Sequence, residues 1–177
     1  NCFAEPASPE PGVKPWGIEE EFLLCDELMA EVTADKEGAH VSPVLLGILL
    51  RCKGREKIIL ISDSRDPAGN PPGAYTMCDG MKVEIKENSD VVRLETGELA
   101  GSIMGMNDAV RNMMHHTGAS INDAVVMATA NPARLLDLSH RKGAIKPGMD
   151  ADLTVFDDSI NIWMTIRGGE ICYSEAL

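Results

Sequence analysis

Lys57-Ile58-Ile59-Leu60-Ile61-Ser62-Asp63-Ser64-Arg65-Asp66-Pro67-Ala68-Gly69 reads as a strand that runs straight into a loop. The four branched apolar residues from Ile58 to Ile61 do not alternate with polar ones, the pattern of a strand covered on both faces, as in a parallel sheet. Asp63 follows at once. In an α/β barrel the carboxyl ends of the strands carry the chemistry, so an acid there is aimed at the barrel mouth. Taken alone, an aspartate after a strand more often closes a turn or caps the next element; what surrounds Asp63 argues for more.

Upstream, Leu28 to Thr33 reads as another strand. It runs into the polar loop Ala34-Asp35-Lys36-Glu37-Gly38-Ala39-His40. Ser42 before Pro43 is a helix start, a hydroxyl N-cap followed by a proline where its missing N–H costs nothing. That helix is expected to reach about Lys53, with Val44, Leu45, Ile48 and Leu49 on one face. Strand, helix, strand is the repeating unit of a parallel barrel or of an open sheet. Farther upstream, residues 1–17 hold Pro6, Pro9, Pro11 and Pro15 and read as an extended loop.

Downstream of Gly69 the pattern changes. Lys82-Val83-Glu84-Ile85-Lys86 alternates with period two and precedes Val91-Val92-Arg93-Leu94, an antiparallel excursion partly facing water. Thr96 to Gly105 reads as a glycine-punctuated loop whose backbone can approach something closely. Met106 to His116 is a helix with Met106, Val110 and Met113 or Met114 on one face. Ser120-Ile121-Asn122-Asp123 starts a second, and Asn131-Pro132 breaks it and opens a third. From Lys142 short strands are expected at Gly143-Ala144-Ile145, Ala151 to Phe156, Ile162 to Arg167 and Glu170 to Tyr173, a β-meander.

At 177 residues the chain can build one real core, but it is short of the ~250 residues of a complete eight-fold barrel. It opens on Asn1 without an initiator Met, as a segment of a longer polypeptide does. Sixteen basic against 28 acidic residues give a net charge of −12. That sign repels phosphate backbones and anionic lipid, so neither nucleic acid nor a membrane is an expected partner. No apolar run approaches the ~18 residues of a membrane span. The cysteines Cys2, Cys25, Cys52, Cys78 and Cys172 are scattered and odd in number, with no Cys-x-x-Cys pair. Reduced, buried thiols in a cytoplasmic protein are the expectation.

His115 and His116 are adjacent on a helix, diverge by ~100° and cannot share a metal; surface or packing roles are expected for both, and a turn for His140. His40 differs because its loop directly follows a predicted strand. A lone loop histidine is usually solvent-facing, and its placement beside Asp63, one βα unit on, is what raises it. There is no Gly-x-Ser-x-Gly elbow, P-loop, dinucleotide fingerprint, His-x-His or His-x-x-x-His. Arg65 and Asp66 are expected to pair locally or face solvent. Trp16, Trp163 and the methionines around Met104 are read as packing residues.

Taken together these stretches closely resemble the carboxyl-terminal half of the N-acetylglucosamine-6-phosphate deacetylases, in the amidohydrolase superfamily. The matching pieces are Asn1, Glu10-Pro11-Gly12, Ala34-Asp35 with His40-Val41, Ser62-Asp63 with Pro67-Ala68-Gly69, Leu99-Ala100-Gly101-Ser102, Ala109-Val110-Arg111-Asn112, Met127-Ala128-Thr129 with Asn131-Pro132-Ala133, and Lys142-Gly143 through Pro147-Gly148 to Ala151-Asp152-Leu153. The last recurs across amidohydrolases; the Asp63 and Leu99 blocks are more specific.

The resemblance implies an α/β fold, the C-terminal portion of a (β/α)8 TIM-like barrel over residues 1–141, then strands of a small β-sandwich over 142–177. It implies deacetylation of an amino-sugar phosphate by a metal-bound water, with a divalent metal, zinc or similar, polarising the amide. Asp63 matches the essential aspartate that takes the water's proton and delivers it to the leaving amine. His40 matches a sugar contact, and Asn1 a phosphate contact joined by the Cys2 backbone N–H. Leu99, Ala100, Gly101 and Ser102 match a segment lining the sugar.

The family's metal ligands, a glutamate and two histidines, would lie before Asn1, so no metal ligand is assigned in this chain and these residues alone should be inactive. Pro9 stands where many members carry an arginine that reaches the neighbouring subunit's phosphate in a homodimer. The loop from Asp35 to His40 is longer than the family's Ala-Asp-Gly-x-His. Two rival readings stand beside this one: an amidohydrolase acting on another amide, and a non-catalytic sugar-binding relic of the fold.

Overall fold

The computed structural model describes residues 17–175. Asn1, Cys2, Pro9, Glu10-Pro11-Gly12 and Trp16, all singled out in the sequence, lie outside them. The described chain opens with a short helix, α1 (Ile18–Leu24), and a three-residue strand, β1 (Ala30–Val32). Helix α2 (Pro43–Lys53) begins where the Ser42-Pro43 pair predicts, with the Ser42 hydroxyl accepting from the Leu45 amide. A single 3-10 turn (Arg55–Lys57) leads into β2 (Ile58–Leu60).

β1 and β2 pair in parallel, Ala30 with Ile58 and Val32 with Leu60. This is the βαβ unit expected. The face bearing Ala30, Val32, Ile58 and Leu60 packs on Leu46 and Leu49 of α2. The buried stripe of α2 is therefore Leu46, Leu49 and Lys53, rotated from the expected face: Val44 is 71% exposed. A part-barrel is expected to leave the Ile58 to Ile61 strand with an unpaired edge and an uncovered apolar face; β1 is the one strand paired with β2 among the described residues, but the far face is covered. Ile59, on the opposite face, is only 3% exposed.

Four antiparallel strands follow in sequence order, β3 (Gly73–Thr76), β4 (Lys82–Ile85), β5 (Val91–Leu94) and β6 (Leu99–Ser102). Met77, Val83, Ile85 and Val92 form a second small core within this excursion. The stretch read as a glycine loop is thus in part a strand: Leu99–Ser102 pairs with β5, with an irregularity between Val92 and Arg93. Leu-Ala-Gly-Ser has little intrinsic strand preference, and the pairing comes from its neighbours.

Helices α3 (Met106–Thr117), α4 (Ile121–Ala128) and α5 (Ala130–Leu135) close over the sheet, with Ala109, Val110, Met113, Ala124 and Met127 in the main core. Asn131 and Pro132 stand in the first turn of α5, just past the break after α4. The Asn131 side chain is fully buried and its Nδ2 donates to the carbonyls of Arg55 (2.7 Å) and Ile58 (2.6 Å), fixing the entry to β2. Asn131→Ala strands both carbonyls, and a loss of about 1–3 kcal/mol is expected in denaturant titration of the full-length protein. An unchanged midpoint would contradict this role.

The C-terminal meander is β7 (Leu153–Phe156), β8 (Ile162–Arg167) and β9 (Glu170–Ser174). No strand forms at Gly143-Ala144-Ile145, where a positive φ of 88° at Gly143 and its tight packing on α5 leave a turn. The turn between β7 and β8 inserts Ile160 into the main core at φ 63°, an outlier for a β-branched residue. Arg111 of α3 holds it there: its Nε donates to the Ser159 carbonyl and its Nη2 to that of Ile160, both at 3.0 Å.

Two smaller expectations are corrected. Cys52, Cys78 and Cys172 are exposed and Cys25 is partly so; none of these is a buried thiol. Trp163 is half exposed rather than packed. Among the described residues no helix is long and apolar enough to cross a membrane.

Candidate active site

Asp63 sits just past β2 with a left-handed backbone, φ 48°, a conformation that aspartate tolerates better than most residues. Three bonds hold this turn. The Ser102 amide donates to the Asp63 carbonyl at 2.9 Å, the Arg65 amide to the Ser102 carbonyl at 2.8 Å, and the Ser102 hydroxyl to the Ser62 carbonyl. The close backbone approach expected of the Leu99 to Ser102 segment is therefore an approach to Asp63 itself. Leu99 and Ala100 remain partly exposed, while Gly101 and Ser102 are buried. The Ser102 hydroxyl is spent on the turn, so what this segment offers a ligand is its backbone and the first two residues.

Arg65 and Asp66 do not pair with each other. Arg65 reaches Asp79 at 3.6 Å, and Asp66 accepts from the Cys78 amide at 2.7 Å. Both tie the antiparallel excursion to the Asp63 loop.

His40, at the end of the loop after β1, meets Asp63 side chain to side chain: Nε2 lies 3.3 Å from Oδ2. The contact is out of line for a hydrogen bond, which leaves Nε2 a buried ring nitrogen without an aligned partner. Asp63 is 42% exposed at its side chain and His40 14%, so the carboxylate faces the open side and the imidazole stands behind it.

Asp35 matches the family pattern in the sequence without a role of its own, and the structure gives it one. The Asp35 carboxylate is completely buried and takes three donors: the Ala39 amide at 2.8 Å, the His40 amide at 2.8 Å and His40 Nδ1 at 3.0 Å. The loop curls around this one carboxylate, and His40 arrives at Asp63. Helix α3 grips the same segment from behind. Asn112 Nδ2 donates to the Ala34 carbonyl at 3.0 Å and His116 Nε2 to the Asp35 carbonyl at 2.9 Å, two side chains one helical turn apart on successive carbonyls. His116 is therefore a structural donor, while His115 is exposed. His140 bonds the carbonyl of Asp137 within its turn.

Electrostatics follow from these contacts. Burial opposes ionisation of Asp35, but the His40 ring and the amides of His40 and Ala39 outweigh it and lower its pKa to about 2. Burial likewise opposes the charged form of His40, yet Asp35 and then Asp63 win, and its pKa is raised above 6.5.

A carboxyl lowered on folding contributes stability above its unfolded pKa, lost as pH falls through the folded value. For Asp35 that window runs from 3.8 down to about 2, and the contribution is on the order of 2 kcal/mol. For His40 the sign is reversed, with stability lost as pH rises through its elevated pKa. Asp90, which accepts from the Lys36 amide at 2.8 Å, is pushed upward by burial and opposes the acid effect. The expected result is therefore a difference: Asp35→Asn flattens the acid limb of stability against pH relative to the parent. Parallel curves between pH 2 and 5 would remove Asp35 from that limb.

Among the described residues no group of three His, Cys, Asp or Glu side chains could hold a metal ion. The divalent metal implied by the resemblance thus finds no ligand set there.

A model of the amidohydrolase family matches residues 56–172. The chain belongs to the amidohydrolase family. Within it, this amidohydrolase chain is 37% identical over 132 residues to a putative N-acetylgalactosamine-6-phosphate deacetylase of Escherichia coli (strain K12), covering 75% of each. It is 36% identical over 155 residues to the N-acetylglucosamine-6-phosphate deacetylase of Lysinibacillus sphaericus, covering 88% of this chain and 38% of that one. The crystal structure of N-acetylglucosamine-6-phosphate deacetylase from Thermotoga maritima superposes with a TM-score of 0.80 at 33% identity, over 90% of this chain and 42% of that one. The amidohydrolase chain thus spans under half the length of these last two relatives, which are hydrolases of amino-sugar phosphates by name.

Proposed function

We propose that this chain is the C-terminal part of a metal-dependent amidohydrolase that deacetylates N-acetylglucosamine 6-phosphate to glucosamine 6-phosphate and acetate. The observation that carries it is the Asp63 carboxylate, held at the end of a parallel strand by a neighbouring loop and backed by His40 at 3.3 Å. Asp63 takes a proton from the attacking water and returns it to the departing amine, a shuttle suited to a carboxylate open to one side. His40, whose Nε2 lies 3.3 Å from Asp63 Oδ2, contacts the sugar. The backbone of Leu99 to Ser102 lines it, and Asn1 with the Cys2 N–H holds the phosphate.

In this reading residues 1–141 complete a (β/α)8 barrel with an N-terminal half, and residues 142–177 join a β-sandwich. The divalent metal supplies carbonyl polarisation when bound. Its ligands belong to that N-terminal half, so the isolated chain is inactive. The complete enzyme is a cytoplasmic homodimer.

The test is to assay the full-length protein on N-acetylglucosamine 6-phosphate, its galacto epimer and unphosphorylated N-acetylglucosamine. The galacto epimer is included because the E. coli K12 relative carries that name. Preference for the gluco phosphate is expected. Equal turnover with and without phosphate removes the phosphate assignment, preference for the galacto sugar moves the substrate, and no turnover of any overturns the deacetylase reading in favour of another amide or a non-catalytic relic.

A further inference from the structure

A fully buried carboxylate in a surface loop is costly unless it is paired, and Asp35 is paired with unusual completeness. Two of its three donors are backbone amides and would close the loop around any short acceptor. The third is the imidazole Nδ1 of His40. An ionised carboxylate only accepts, so Nδ1 must carry the proton in that bond. With Asp63 on the far side of the ring, 3.3 Å from Nε2, the imidazole lies between two carboxylates. A bare Nε2 would set its lone pair against Asp63; a protonated one makes the ring an imidazolium, with a buried donor 3.3 Å from Asp63 that lacks an aligned partner.

We propose that Asp35 is a positioning residue for deacetylation, holding the His40 ring with Nδ1 protonated and Nε2 beside Asp63, in the orientation that meets the sugar. Asn112 and His116 fix the carbonyls of Ala34 and Asp35 and keep the carboxylate in register. The proposal rests on His40 being a substrate contact in the reading above. It adds a residue whose whole effect on turnover passes through the ring.

Nitrogen-15 NMR of the histidine rings in the full-length protein at pH 7 should show His40 Nδ1 protonated, and Asp35→Asn should remove that signature. The same variant should lower kcat by about 10- to 100-fold, the scale found when a partner that orients a functional histidine is lost. In a His40→Ala background Asp35→Asn should cost less than about twofold, because the residue it acts through is gone. A parent enzyme with Nδ1 bare overturns the proposal whether or not the variant folds. So does a folded Asp35→Asn enzyme within about twofold of parental kcat, or an equal loss in both backgrounds, which marks a purely structural role. Failure of the deacetylase reading looks different: a parent protein inactive on every sugar phosphate, with the Nδ1 proton in place.

Discussion

Asp63→Asn in the full-length protein should cut kcat by about 10²- to 10⁴-fold, the range spanned by positioned proton transfer, with a melting temperature close to the parent's. The structure makes this a clean substitution. Asparagine is isosteric, tolerates the left-handed φ of 48° and loses no bond that holds the turn, because that work is done by the Asp63 carbonyl and Ser102. What it loses is the ability to accept a proton. Its cost to stability should be small, since the pairing with His40 is off axis and 42% of the Asp63 side chain is already in solvent. Activity near the parental level in a folded variant would take Asp63 out of the reaction.

Gly101→Ala should be the most damaging small change in the site. A Cβ there would stand 2.5 Å from Arg65 Cγ, 2.7 Å from its Cδ and 3.0 Å from the Asp63 carbonyl oxygen, on a backbone at φ 115°. The arginine can move, but the carbonyl and the backbone angle cannot without shifting the Asp63 turn. Strain and crowding together suggest a loss of about 2–5 kcal/mol. Turnover should fall with it even where the protein stays folded, because the displaced atoms belong to the residue proposed to carry the proton. A variant with parental stability and kcat would show that this approach is looser than the geometry implies.

Features governed by near neighbours were legible in the sequence. Ser42-Pro43 marks a helix start through one hydroxyl and one ring, and Ile58 to Leu60 marks a covered strand through its own side chains. Placing Asp63 at that strand's end followed directly. Leu99 to Ser102 was harder, because a strand of leucine, alanine, glycine and serine exists only by courtesy of Val91 to Leu94 beside it.

Asp35 had a local signal that went unread: an aspartate after a strand, ahead of a glycine-containing turn, is a natural acceptor for amides four and five residues on. The roles of Asn112 and His116 had none. Their shared helix face is visible, but the carbonyls they bind lie 78 and 81 residues away. The buried stripe of α2 was misjudged for a related reason, since periodicity gives the spacing of a face and the partner sheet decides its direction.

The Arg111 grip on the turn carrying Ile160 couples parts of the chain that look independent. Arg111, Asn112 and His116 ride on one rigid rod, so the plug formed by Ile160 and the carbonyls behind Asp35 are fastened to the same shaft. A tilt of the terminal meander is therefore expected to reach the loop that carries the imidazole, more than a hundred positions earlier. Exchanging that meander for a relative's is expected to alter the contact between His40 and Asp63, with no altered atom beside either residue.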